Sequence, residues 1–247
     1  MVGACILAGS VALLLAPAPL SLEQADALAA TARATKGDRK DAAVSKALDA
    51  YAELLRRHAK DRRLVPRIRR RRASLLRHAG NLAAALREHD SILKGRADRI
   101  DCARALLDGA KLLQAQGKLG ASEVRLLEVV RRYRDATRTR AVAALRRGEV
   151  LEKLGRDSEA LRSYRLVVKE CRFEEKVAIE AYDALALHAI AKRRPRDARR
   201  WLRTCEKRYG KLAARGNKKG AFLGRQLAAM KAPAALAKLE LELDQAS

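Results

Sequence analysis

Along the chain a small residue, a large one four positions later and an aliphatic one three positions after that recur as a set. The sets are Ala47, Tyr51 and Leu54; Ala85, His89 and Ile92; Ser122, Leu126 and Val129; Ala160, Tyr164 and Val167; and Ala198, Leu202 and Cys205. Spacings of four and three put each set on one face of an α-helix. The copies start 38, 37, 38 and 38 residues apart. A generic helical bundle does not require a constant period, whereas stacked repeats do.

The same register run backwards places Gly80, Gly117 and Gly155 five residues ahead of the small residue. Such a glycine supplies the left-handed conformation that ends one helix, and Asn81 and Asp157 just after it are expected to cap the next. The fifth copy carries Arg193 at the glycine position and enters its second helix through Pro195, a residue suited to a first helical position. In the first copy Ala42 falls where the glycine would be. Seven residues before each turn stand Ala73, Ala110, Gly148 and Ala186, followed three later by Leu76, Leu113, Leu151 and Ala189. Close packing of two helices needs the small residue, and the leucine fills the space beside it.

This pattern resembles the tetratricopeptide repeat family, well over residues 66–209 and more weakly over 21–65. The resemblance implies an all-α fold: a right-handed α-solenoid of about five antiparallel helix pairs in which the first helix of each pair lines a concave groove. Two features depart from the family. The period is longer than its usual 34 residues, which predicts longer links between repeats, and no proline marks the end of each second helix. The resulting division is an apolar leader over 1–20, repeats over 21–210 and a helical cap over 211–247. Within the cap, Lys211 to Gly224 reads as a loop passing into a short helix. Pro233 then opens a last helix with Leu236, Leu239 and Leu243 on one side and Glu240, Glu242 and Asp244 facing out.

Composition agrees with helices. Hydrophobic residues make up 49% and charged residues 34%, with 14 Gly, 5 Pro and 3% aromatics, so a core can form and a sheet-rich fold is disfavoured. The formal net charge is +25. Arginines outnumber lysines by more than two to one, a bias that a GC-rich genome would also produce. The excess is therefore either a functional basic surface or a compositional drift.

Placed on the register, the charge acquires an address. Groove-facing positions are Arg67, Arg70, Arg71, Ser74, Arg77 and His78 in the second repeat, and Arg104, Leu107, Asp108, Lys111 and Gln114 in the third. The fourth presents Val142, Leu145, Arg146, Glu149, Glu152 and Lys153, and the fifth Glu180, Asp183, Ala184, Leu187 and Ile190. The groove is expected to grade from positive to mildly negative. Arg69 to Arg72 stack like charges within one turn, which is unfavourable without an anion nearby. Guanidinium forks bind carboxylates bidentately, so Arg67, Arg70, Arg71, Arg77, Arg104 and Lys111 are the candidate site for an acidic or extended peptide. The family clamps carboxylates from such positions, although its best-known clamp pairs Lys with an Asn that is absent here.

Nonspecific binding of nucleic acid or an anionic envelope polymer or lipid is the alternative. Single-strand binders interleave cations with stacking aromatics, yet the tyrosines and Trp201 fall mostly on repeat-core or helix-end positions. Arg131, Arg132, Arg134, Arg138 and Arg140 cluster at one link and suggest headgroup contact.

No nucleophile elbow, phosphate loop, dinucleotide fingerprint or metal-ligand spacing occurs, and no catalytic residue, metal or cofactor is expected. Cys102, Cys171 and Cys205 match no zinc or redox spacing and read as buried free thiols. The run from Val2 to Leu15 followed by Ala16-Pro17-Ala18 reads as a signal-peptide-like leader, with Ala25-Asp26-Ala27 as the other cleavage candidate. These features together describe a non-enzymatic adaptor exported to the periplasm or cell envelope, with a cytoplasmic location as the alternative. Its protein partner would be acidic, and its oligomeric state is left open.

Overall fold

The computed structural model describes residues 20–245, so the leader lies almost wholly outside the described residues. Those residues form twelve α-helices and no strand: α1 (Leu22–Ala34), α2 (Arg39–Arg57), α3 (Leu64–His78), α4 (Leu82–Lys94), α5 (Arg99–Ala115), α6 (Leu119–Arg132), α7 (Thr137–Lys153), α8 (Asp157–Glu170), α9 (Glu175–Ala191), α10 (Pro195–Ala213), α11 (Lys218–Ala228) and α12 (Ala232–Gln245). They fall into two compact units, divided between residues 59 and 60.

The first unit is the pair α1 and α2. Ser21 and Gln24 form a reciprocal capping box at the start of α1, which satisfies two otherwise orphaned backbone donors. Ala25, Ala29 and Ala32 are fully buried, as are Ala47 and Tyr51 of α2. The Tyr51 hydroxyl donates to Asp26 Oδ1 at 2.7 Å. The turn does not fall at Ala42, which is already inside α2. It is made by Gly37 with φ of 68°, so the inner turn of this pair sits five residues earlier than the repeat register predicts.

The second unit is an α-solenoid of antiparallel pairs, α3 with α4 through α9 with α10. Gly80, Gly117 and Gly155 adopt φ of 84°, 74° and 72°, and Arg193 takes the same left-handed region at 52°. The residue after each donates its N–H back to the carbonyl of Leu76, Leu113, Leu151 or Ala189, at 2.9, 2.9, 2.8 and 2.9 Å. These are Schellman closures, and they explain why the glycine and the preceding leucine keep a fixed offset. Asn81 caps α4 by accepting from the Ala84 N–H at 3.0 Å. Asp157 does not cap α8. It is the first helical residue, and its carboxylate lies 3.0 Å from Lys192 Nζ.

The extra length of the repeat resides in the helices. α5, α7 and α9 each span 17 residues, while only four residues link α4 to α5, α6 to α7 and α8 to α9. The expectation of longer links is thereby corrected. The small-large-aliphatic positions are buried throughout α4, α6, α8 and α10 apart from the partly buried Leu202, and Ala73, Ala110, Gly148 and Ala186 of the first helices are buried opposite them. First helices pack closely on one another in succession, α3 with α5, α5 with α7 and α7 with α9, whereas successive second helices lie farther apart and are joined by long side chains, Arg125 of α6 to Asp90 of α4 and Arg208 of α10 to Val168 of α8. The array therefore curves with its first helices on the inner side.

α11 and α12 both pack on the last pair. α10 continues through Ala213, which confines the expected Lys211–Gly224 loop to residues 214–217, with Asn217 accepting from the Gly220 N–H at 2.8 Å to start α11. Leu236 and Ala232 of α12 join Ala186, Ala189 and Ala198 in one apolar cluster against which Leu187 and Ile190 pack. Glu240 does not face away as expected, because it accepts from Arg199 Nε on α10 at 2.7 Å.

Candidate functional site: a basic pocket on the inner layer

α3 is an arginine-rich helix whose Arg67, Arg70, Arg71, Ser74 and Arg77 fall at i, i+3, i+4, i+7 and i+10, which makes them one stripe. That stripe faces Asp108, Lys111, Leu112 and Ala115 of α5 across an open pocket of about 500 Å³. Five of the six cations singled out from the sequence thus line one concavity. Arg104 does not. Its guanidinium lies 3.5 Å from Asp101 one turn back on its own helix.

The internal anions explain how the arginine run folds. Arg69 and Arg72 both donate to the buried carboxylate of Glu88 on α4, at 3.0 and 2.8 Å. Arg70 points the other way, its Nε 3.7 Å from Asp108 and its terminal nitrogen 4.0 Å from Asp101. The run is therefore not the liability that it is on a bare helix. Asp108 also accepts from Lys111 Nζ at 2.9 Å. Arg67 and Arg77 are exposed and make no ion pair among the described residues.

The pocket wall also includes a residue that the sequence placed only in the core. His89 of α4 occupies the register position held elsewhere by Tyr51, Leu126, Tyr164 and Leu202, and it is 5% exposed. Its Nδ1 is buried without a hydrogen-bond partner, and so is Nε of Arg70. Burial pushes the imidazole below its ordinary pKa. Asp108 and Asp90 oppose the shift, and Arg70 and Arg125 reinforce it. The available signal was the single ring nitrogen base among large apolar or phenolic side chains at this position.

Farther along, the expected grading of the groove is cut short. Arg146 and Glu149 pair with each other at 2.8 Å. Asp183 accepts backbone N–H bonds from Lys231 at 3.0 Å and Ala232 at 2.8 Å, so α12 covers the fifth repeat's groove positions and its acidic end is consumed internally. A second concavity of about 290 Å³ lies among α8, α9 and α10, with Trp201, Leu185 and Ala189 beside Arg165, Lys169 and Arg200.

Much of the remaining arginine excess ties helices together. Arg147 donates to Glu123 at 2.6 Å and to Ser163 at 2.9 Å, Arg125 to Asp90 at 2.7 Å, and Arg208 to the Val168 carbonyl at 2.9 Å. The Arg131–Arg140 cluster is divided in the same way. Arg140 is buried against Glu170 and the Val130 carbonyl, and Arg132 pairs with Glu128, leaving Arg131, Arg134 and Arg138 exposed. Among the thiols Cys171 and Cys205 are buried, but Cys102 is partly exposed. No group of His, Cys, Asp and Glu among the described residues could hold a metal ion, and no described helix is long and apolar enough to cross a membrane.

No family model matches the sequence, and none of the curated proteins aligns with it significantly. Among solved structures, the crystal structure of MamA is similar in fold. It superimposes with a TM-score of 0.52 over 71% of this chain and 94% of that chain, at 15% identity. MamA is a tetratricopeptide-like helical protein, so the likeness agrees with the helical-repeat fold derived from the turns and the register.

Proposed function

We propose that this chain is a non-enzymatic scaffold that binds an acidic, extended peptide segment of a protein partner in the basic pocket between α3 and α5. The observation that carries this reading is the convergence of Arg67, Arg70, Arg71, Arg77 and Lys111 on one inner-layer pocket whose lining contains a single carboxylate, Asp108. Such an excess steers an acidic ligand toward the groove and sets its encounter rate, while burial of peptide between two helices sets its residence. Arginine forks supply the directional contacts. Arg104 lies one turn before Asp108 on α5, and its charge adds to the field that attracts the ligand. Export of the chain to the periplasm or cell envelope is part of the same proposal, supported by the apolar run Val2 to Leu15.

Nonspecific polyanion binding is the second reading, favoured by the exposed Arg131, Arg134 and Arg138 outside the pocket. The two separate in one experiment: titration of a Glu/Asp-rich peptide and of a single-stranded oligonucleotide in parallel across salt, with the double variant R67E/R77E. These two arginines have no internal anion to lose, so the variant is expected to fold. On the peptide reading R67E/R77E weakens the peptide about tenfold or more and the oligonucleotide only slightly. Equal weakening of both, or none, overturns it.

A further inference from the structure

The pocket holds more unsatisfied donor capacity than a carboxylate can use. Arg67 and Arg77 are without an ion-pair partner among the described residues, Arg70 Nε is buried and unbonded, and His89 Nδ1 is buried and unbonded on the same wall. A buried polar atom left without a partner costs about 1–3 kcal/mol, and two of them at one pocket mark a site whose partner is a ligand. Asp108 does not relieve Arg70, because 3.7 Å exceeds hydrogen-bond distance and the same carboxylate is engaged by Lys111 at 2.9 Å.

A carboxylate brings one charge and two oxygens. A phosphate monoester brings a charge near −2 and three strongly accepting oxygens, which arginine clusters recognise. The phosphate offers a separate oxygen to each inner donor and to an exposed arginine, and its second charge offsets more of the pocket's cationic excess. His89 adds a second discriminant: with its proton on Nδ1 the neutral ring donates at the pocket wall without adding a buried charge.

We propose that the pocket is a phosphoryl-binding subsite, taking a phosphorylated Ser or Thr side chain of the peptide, with Arg70 Nε and His89 Nδ1 as its inner donors and Arg67 and Arg77 as its outer ones. This assignment rests on the peptide-binding reading and narrows it. The apolar wall of Ala73, Leu112 and Ala115 accommodates the peptide's methylene or methyl groups beside the anion.

The test compares three versions of one peptide, carrying Glu, Ser or phosphoserine at a central position, by fluorescence anisotropy at a pH where phosphate is dianionic. The phosphoserine peptide is expected to bind about tenfold tighter than the Glu peptide. H89L, which installs the residue type found at Leu126, should lower that preference several-fold, read as the ratio of the two peptides' affinities measured on the same variant. H89N, whose amide nitrogen stands near the Nδ1 position, should retain part of it. Circular dichroism melts confirm that both variants fold. If Glu and phosphoserine peptides bind equally, the phosphoryl assignment fails while peptide binding stands. If neither binds, both fail. If inorganic phosphate or the oligonucleotide competes as well as the phosphopeptide at equal phosphate concentration, the site does not read a peptide-borne group and the proposal is overturned.

Discussion

The ring of Tyr164 on α8 packs directly against the backbone of Gly148 on α7: a Cβ on Gly148 would stand 2.6 Å from Tyr164 Cζ. Elsewhere in the array the equivalent pairs are Ala73 with His89, Ala110 with Leu126 and Ala186 with Leu202, so the bulkiest side chain at this register position faces the residue without one. Overpacking costs about 1–3 kcal/mol, and G148A is expected to lose that much in urea unfolding. In a Y164L background, which recreates the Ala-with-Leu pair, the same glycine substitution should be close to neutral. Additive losses in that double-mutant cycle would show that the two residues do not set each other's size.

Arg147 and Glu123 tie α7 to α6 through a 2.6 Å bond, with both side chains nearly buried, 12% and 8% exposed. Removing one partner leaves a buried charge. E123L is expected to cost about 3 kcal/mol, and adding R147M should recover more than half of it, since an apolar pair can replace a buried ion pair. No recovery in chemical denaturation would mean that the guanidinium's remaining partners, Ser163 at 2.9 Å and Glu159 at 3.5 Å, satisfy the charge without Glu123.

The repeat was legible because turn chemistry and packing are local. Gly80, Gly117 and Gly155 announce left-handed closures, and the Ala73, Ala110, Gly148 and Ala186 series announces close helix approach. The basic stripe was legible because i, i+3, i+4 and i+7 spacing is fixed by the helix. What the register could not contain was pairing between residues far apart in sequence. Glu88 receiving Arg69 and Arg72, Asp183 capping α12 from 48 residues away, and Glu240 folding back on Arg199 all depend on tertiary approach. His89 was read as core because its position is core. Its place on the pocket wall depends on the tertiary approach of α3 and α5, whose Ala73, Ser74 and Asp108 line the same pocket.

Asp183 holds the first two backbone N–H groups around the start of α12, at 3.0 and 2.8 Å. Loss of a helix cap of this kind costs about 0.5–2 kcal/mol. D183A should therefore lower stability within that range and accelerate amide exchange in Ala232–Gln245 before the rest of the unit, whereas D183N, which keeps an acceptor oxygen, should do less. Uniform acceleration across all helices would argue that α12 is not separately hinged on this carboxylate.

Arg193 sits at φ of 52°, where the three preceding turns use glycine. A left-handed non-glycine residue carries about 1 kcal/mol of strain, partly offset by the entropy that glycine adds to the unfolded chain. R193G is expected to raise the unfolding free energy by about 0.5 kcal/mol. A loss of stability would show that the Arg193 side chain contributes more than its backbone costs.

His89 gives the fold a pH dependence whose sign can be worked out. Burial, reinforced by Arg70 and Arg125, depresses the folded-state pKa, against the opposing pull of Asp108 and Asp90. The unfolded chain, with an ordinary value near about 6.5, therefore binds more protons just below that pH, and stability rises with pH wherever the unfolded state binds more. The contribution is complete above about pH 6.5 and is lost as the pH falls below it toward the depressed folded value. Asp135, Asp157 and Glu159 are held below the usual carboxylate range by Arg99, Lys192 and Arg156 respectively. They titrate under this window, whereas burial raises Glu152 toward it with the opposite sign, so the contribution of His89 is read as the difference between the parent protein and H89L. Urea unfolding between about pH 5 and 7 should show a slope that H89L flattens, up to about 1.4 kcal/mol per pH unit for one full proton. An unchanged slope in H89L would mean that the folded ring accepts its proton as readily as the unfolded one, as it would if Asp108 and Asp90 outweighed burial.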